Sequence, residues 1–367
     1  MNNDKLKFKI NIMKKQITLL AAIMLFIATS INATVWRVNN RVNVDADFTT
    51  LGAAISGSSA NDTLYLEGSP TSYGNAYIYS PVTIIGTGYF LNENDSTQAY
   101  KEKSIVGSLY FNNGSQGSVV EGLYIDAVNT YVPAYGVYIN TNDITIRRNY
   151  IFGHGNYNWV HHYGIYVVAT YNSLTIEQNW IRPYAPNSDG SYTHAIHFVA
   201  YTIGSLIQNN IIYCDTNGRA IYMGEDNEAS SLIVKNNAIM GNITTYNSSH
   251  YNNILIHGSY TPATNDLNSN NICDLTQYPN ENDNQQSVVM STVFEDYTTN
   301  IDNGYILKAG SPAIGSGVLA VDCGPFGTND PYVLSGMPPI PAIFDLEMNQ
   351  TIGTSTIPVT VKSMSHK

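Results

Sequence analysis

The 367-residue sequence predicts an all-β solenoid of three-strand coils, and three observations carry that prediction. A short phrase returns along the chain, apolar residues alternate on both sides of one Asn in each copy, and a further apolar triplet precedes each copy. The clearest copy is "LTIEQNWI" at 174–181, which returns as "ITIRRNYI" at 144, "SLIQNNII" at 205, "LIVKNNAI" at 232 and "NDLNSNNI" at 265. Asn149, Asn179, Asn210, Asn237 and Asn270 then fall in register, at intervals of 30, 31, 27 and 33 residues. Helical repeats hold a fixed period because whole helices must stack, so variable intervals put the insertions in loops between short strands.

Within each copy the alternation is strand-like. Leu174 and Ile176 before Asn179, and Ile181 after it, bury one face, so each copy is two short strands meeting at a bend. The third strand lies upstream: "GVYI" at 136, "GIYV" at 164, "AIHF" at 195, "AIYM" at 220 and, less cleanly, "NILI" at 253. Three strands make one coil.

On these repeats the chain, from about residue 45 to 325, resembles the right-handed parallel β-helix proteins of the pectate-lyase-like superfamily, with about seven coils expected of such a solenoid. The resemblance implies successive coils stacked in parallel ladders. Stacked strands lie about 4.8 Å apart, and an Asn amide carries both donors and an acceptor. The five Asn are therefore expected to hydrogen-bond inward as a ladder, since a buried amide is tolerated only when satisfied. "SVVEGLYI" at 118–125 fits the phrase with Leu123 at the Asn position, which starts the ladder one coil later.

The ends read differently. Residues 1–33 are expected to form a secretory signal peptide: Lys14 and Lys15 precede the apolar run "ITLLAAIMLFIAT", and "INA" ends at a small residue, with Met13 the expected true start. The run is too short for a membrane span, so the mature chain is expected to be exported to the periplasm, cell surface or medium. Losing the leader removes five Lys and one Asp from 17 basic and 28 acidic residues, leaving 12 and 27 and a net charge of −15. That charge excludes nucleic acid as a general partner. Three scattered Cys do not form a disulfide framework, and Cys214 shares the inward parity of Ile212.

"DFTTLGAAISG" from Asp47 carries apolar Leu51, Ala54 and Ile55 at helical spacing, the pattern of a short helix that plugs the first coil. "DTLYLEG" at 62 and "PVTIIGTGYF" at 81 are the opening coils. "LKAGSPAIGSG" at 307–317 has the Gly, Ser and Pro of a closing turn. The domain expectation is a leader at 1–33, a β-helix with its cap at 34–325, and a Pro-rich linker and tail at 326–367.

With Val137, Ile165, Ile196, Ile221 and Ile254 inward, the next residues point out: Tyr138, Tyr166, His197, Tyr222 and Leu255. Rings on a solvent face can meet sugars with apolar surface and a polar tip, although aromatic residues also favour strands for their own packing. Two residues before each inward position stand Tyr135, Tyr163, His194, Arg219 and Asn252, with His161 and His162 just upstream of Tyr163. Glu225 and Asp226 follow the fourth strand.

Two function classes follow. The first is binding of an extracellular polysaccharide through Tyr138, Tyr166, Tyr222 and Glu225, with cleavage by lyase-type β-elimination of a uronate polymer. There Arg219 would neutralise the carboxylate while His197, His194 and Tyr166 handle protons. The second is a non-catalytic surface adhesin or structural spacer. "GHG" at 153–155 with "NTND" at 140–143 resembles the polygalacturonase hydrolases of the same fold, which place an Asp-Asp pair between those elements and an Arg-x-Lys after them. This chain has neither, and inverting hydrolysis needs two carboxylates flanking a water, so hydrolysis is set aside. Ca2+ is the one cofactor with candidate oxygen ligands, Asp215, Glu225, Asp226 and Glu228; the adjacent His161 and His162 face opposite ways on a strand.

Overall fold

The computed structural model describes residues 33–129, 134–155, 161–184, 193–214, 217–263, 265–348 and 357–365. The expected leader lies outside the described residues up to 32. From Val35 to Cys273 the described strands build a parallel β-helix.

Its walls are three all-parallel sheets of ten, eight and seven strands among the described residues. One coil shows the plan: Thr175–Glu177 lies in the ten-stranded sheet, Trp180–Ile181 in the eight-stranded sheet and Thr193–Phe198 in the seven-stranded sheet. Like residues stack, with Ile146 on Ile176 on Ile207 and Ile151 on Ile181 on Ile212. The inward side chains of the three sheets form one buried core. Cys214 belongs to it, and Cys214, Cys273 and Cys323 are buried without disulfides.

The helix Leu51–Gly57 buries Leu51 and Ala54 at the N-terminal end, and the Thr50 hydroxyl caps it by accepting from the Ala53 amide at 3.1 Å. This covers core that the terminal coil would otherwise expose.

The Asn ladder runs along the bend between the ten- and eight-stranded sheets. Each Nδ2 donates to the next Oδ1: Asn149 to Asn179, Asn179 to Asn210 and Asn210 to Asn237, at 3.0–3.1 Å. It begins where Leu123 donates its backbone N–H to Asn149 Oδ1.

Beyond Asn237 the sequence reading needs correction. The ladder continues through Asn253, Asn271 and Asn284, at separations of only 16, 18 and 13 residues. The interval of 33 residues was two short coils taken as one. Asn270 is not a rung. It stands one residue before the rung Asn271, and its Nδ2 leaves the core to donate to Ser316 O at 3.0 Å. Matching Ile272 to the inward Ile of the other copies caused the slip, because the inward residue there is Cys273 and Ile272 packs outside. For the same reason "NILI" is not the fifth strand of the seven-stranded sheet. Ile254–Ile256 belongs to the eight-stranded sheet beside Ala238–Met240, Leu255 is core, and the fifth position is held by Asn242–Thr244.

The C-terminal region is also more than a closing turn. The residue before each rung adopts positive φ, as at Arg148, Gln178, Asn209, Asn236, Asn252 and Asn270, which turns its side chain out of the bend. These side chains hold a strap that climbs back along the solenoid. Asn270 bonds Ser316 O, Asn252 accepts from Val318 N, Asn236 reaches Asp322 O, Asn209 reaches Pro325 O and Gly327 O, Gln178 reaches Pro331 O, and Arg148 reaches Met337 O. Residues 326–338, expected as a Pro-rich linker, run along the solenoid and are held to it by these bonds. The region before and within the strap covers the outer side of the eight-stranded sheet, where Tyr150, Trp180, Ile211, Ile254 and Ile272 pack against Met290, Phe294, Tyr305 and Tyr332. After it, Pro341–Met348 and Val359–Ser365 pair as an antiparallel ribbon.

Candidate functional site

The seven-stranded sheet carries the candidate site on its outer face. Its strands share an apolar-polar-apolar triplet with both apolar residues in the core, such as Val137-Tyr138-Ile139 and Ile165-Tyr166-Val167. The middle residues form a column in strand register: Tyr77, Tyr110, Tyr138, Tyr166, His197, Tyr222 and Thr244. Adjacent ring centroids lie 4.6, 5.7, 5.8, 5.3 and 4.9 Å apart from Tyr77 to Tyr222. Tyr77 and Tyr110 extend the column beyond the sequence reading. Their signal was present, since "AYI" at 76 and "LYF" at 109 are the same triplet, but those coils precede the Asn ladder that set the register.

A second column lies three residues upstream, with Tyr135, Tyr163, His194 and Arg219 in register. Strict alternation would separate residues i and i+3 onto opposite faces. Here they meet: Tyr163 and Tyr166 centroids are 4.6 Å apart, and those of His194 and His197 4.9 Å. The intervening position is narrow and carries Gly136, Gly164, Ala195 and Ala220. A Cβ at Gly164 would stand 2.6 Å from Ala195 O.

The histidines converge. His161 Nδ1 lies 3.1 Å from His194 Nε2, and His194 Nδ1 lies 3.1 Å from His197 Nδ1. Burial, then the neighbouring His197, His161 and Arg219, drive His194 down to about 2. Burial, then Arg219 and His161, take His197 to about 4, and burial lowers His161. These imidazoles are neutral at physiological pH, so hydrogen bonds between them need no charge. Burial raises Tyr138 and Tyr166 and pushes Tyr135 up to about 12. The phenols therefore stay protonated and can both donate and accept.

Of the sequence-predicted residues, the structure brings together Tyr138, Tyr166, His194, His197, Tyr222 and Arg219, whose guanidinium lies 4.1 Å over the Tyr222 ring. Glu225 is exposed in the loop after Arg219–Met223 and enters none of these contacts. His162 is buried while His161 joins the cluster, so the two face opposite ways, with His162 inward although strict alternation from Ile165 would point it out. Asp215 lies outside the described residues, and among the described residues no three His, Cys, Asp or Glu side chains are grouped to hold a metal. No helix among them is long and apolar enough to cross a membrane.

The stacking limits the chemistry. Rings that face each other along the column, as Tyr77 and Tyr110 do at an interplanar angle of 9°, cover much of each other's faces. A ligand would meet ring edges and a row of hydroxyls, none of which makes a hydrogen bond among the described residues for Tyr77, Tyr110, Tyr138, Tyr166 or Tyr222. No protein-family model matches the chain, and no curated protein matches it.

Proposed function

We propose that this is an exported protein of the pectate-lyase-like β-helix superfamily that binds an extracellular polysaccharide along the column from Tyr77 to Tyr222. The observation that carries the reading is the column itself: six successive rungs present ring edges at strand spacing, five of them with available hydroxyls, a linear match to a repeating polyhydroxylated polymer. The raised phenols of Tyr138 and Tyr166 and the neutral imidazoles leave the middle of the face uncharged, and Arg219 at one end supplies a contact for a carboxylate-bearing unit.

The same chemistry favours binding over β-elimination. A general base works best with a pKa near the operating pH, whereas His197 at about 4 and His194 at about 2 hold protons weakly. The raised phenols supply no phenolate either. A second reading, a structural spacer or adhesin without glycan contact, draws support from the rings already packing on one another.

Retention of the mature chain, residues 34–367, in gels containing uronate or neutral polysaccharides separates the two, with reducing-end release measured in parallel. The binding reading expects retention without new ends, lost in Tyr138→Ala/Tyr166→Ala. No retention on any polymer supports the spacer, and release of ends that His197→Ala abolishes would restore the lyase.

A further inference from the structure

A second concavity lies on a different wall of the solenoid. Ser231–Lys235, Ser249–Tyr251 and Leu267–Ser269 are adjacent in the ten-stranded sheet, with Lys235, Tyr251 and Ser269 in register. Their outer faces form the floor of a cavity of about 540 Å3 walled by Val318, Leu319 and Val321 of the strap. The wall is pinned at both ends, by Val318 N donating to Asn252 Oδ1 at 2.8 Å and Asn236 Nδ2 donating to Asp322 O at 3.0 Å.

Between the pins the strap does not lie flat. Leu319 and Ala320 both take left-handed backbone, at φ 62° and 57°, a conformation costing a non-glycine residue about 1 kcal/mol or more. The result is a tight turn, closed by Gly317 N donating to Val321 O at 2.8 Å, that leaves Leu319 93% exposed beside the cavity. Strain of this kind persists where its surroundings over-determine it, and it gathers at ligand clamps.

The surface the lining exposes is mostly apolar, although Lys235, Ser249, Ser269 and Thr328 also border it. Leu267, Leu319, Val318 and Val321 supply the walls, and the Tyr251 ring supplies a flat surface with Lys235 Nζ 5.9 Å from its centroid. Lys235 has no carboxylate within ion-pair distance among the described residues, in a chain with 17 basic and 28 acidic residues. The Ser249 and Ser269 hydroxyls make no hydrogen bond among them either.

We propose that this cleft binds a small apolar carboxylate, one or two rings in size, with its anion on Lys235, its ring on Tyr251 and its far edge under Leu319. An apolar concavity with a few convergent polar groups is the usual form of a small-molecule site, and a single unpaired ammonium selects a monoanion. The mostly apolar walls disfavour a sugar, so this site is separate from the polysaccharide face.

Calorimetry of the mature chain with trans-cinnamate, and with cinnamyl alcohol as the uncharged counterpart, tests it. The expected result is saturable cinnamate binding that weakens about tenfold in Lys235→Gln, the size of one lost charge-assisted contact. The alcohol binds weaker than cinnamate to the wild type, and Leu319→Gly, at an exposed position whose backbone glycine accepts, also weakens cinnamate. Polymer retention is unchanged in both variants. No cinnamate binding, equal affinity for acid and alcohol, or full cinnamate affinity in Lys235→Gln would overturn the assignment.

Discussion

A ladder Asn makes five side-chain contacts at once. Asn210 accepts from the backbone and amide of Asn179, donates to Ile176 O and Gln208 O, and donates to Asn237 Oδ1. Replacing it with Ala leaves several of these groups buried without partners, at about 1–3 kcal/mol each. Asn210→Ala and Asn271→Ala should each lower stability in urea titration by about 3 kcal/mol or more, beyond the loss of a single net hydrogen bond. Asn270→Ala should cost about 1–2 kcal/mol, because it gives up one half-exposed bond to the strap and a residue that tolerates the left-handed backbone. Equal losses at 270 and 271 would undo the corrected register. The adjacent Asn pairs at 209–210, 236–237, 252–253 and 270–271 made this boundary hard to read, since one member of each pair faces the core and the other the strap. Only stacking distinguishes them.

Histidine titration belongs to the same scale. His194 at about 2, His197 at about 4 and buried His250 at about 3 lie below their unfolded values near 6.5. Unfolding takes up protons between those limits, so stability is complete above pH 6.5 and is lost as pH falls towards the folded values. Each such His contributes about 1.4 kcal/mol per pH unit in that window. Urea midpoints should fall from pH 7 to pH 5, and more shallowly in His194→Gln. A flat profile would show that these imidazoles take up protons in the folded chain as readily as in the unfolded one.

At the scale of elements, the strap decides whether the solenoid is covered. Asp302 anchors it: its carboxylate accepts from Asn94 Nδ2 at 2.7 Å, Ser335 N at 2.6 Å and the Tyr332 hydroxyl at 3.2 Å, with burial raising its pKa. Asp302→Ala strands those donors and should cost about 3 kcal/mol, with limited proteolysis then cutting first between 313 and 338. Ending the chain at 285 should expose Trp180, now packed against Tyr305, and shift its fluorescence to longer wavelength with aggregation. The sequence told little of this. The β-helix walls were legible because alternation is local and repeats. The strap has no period, and its side-chain partners lie 46 to 189 residues away. Its phrase "LKAGSPAIGSG" carries turn residues whose destination is set only by the bend it meets.

The candidate face was legible in its parity at Tyr138, Tyr166, His197 and Tyr222, and in the approach of His194 and Arg219. Its length was not, because two short coils hid at one end and two coils without the Asn lay at the other. Taken whole, the molecule presents a straight row from Tyr77 to Tyr222 that spans five strand steps, about 24 Å at 4.8 Å each. A row of equivalent contacts gains affinity only while a ligand grows to cover it. The most direct measurement is therefore the affinity of the mature chain for an oligosaccharide series of increasing length, drawn from whichever polymer retains it. The dissociation constant should fall with each added unit until the ligand spans the row and then level off, and Tyr110→Ala should move the plateau to shorter oligomers. An affinity independent of length, or unchanged in Tyr110→Ala and Tyr166→Ala, would contradict a polymer-binding face.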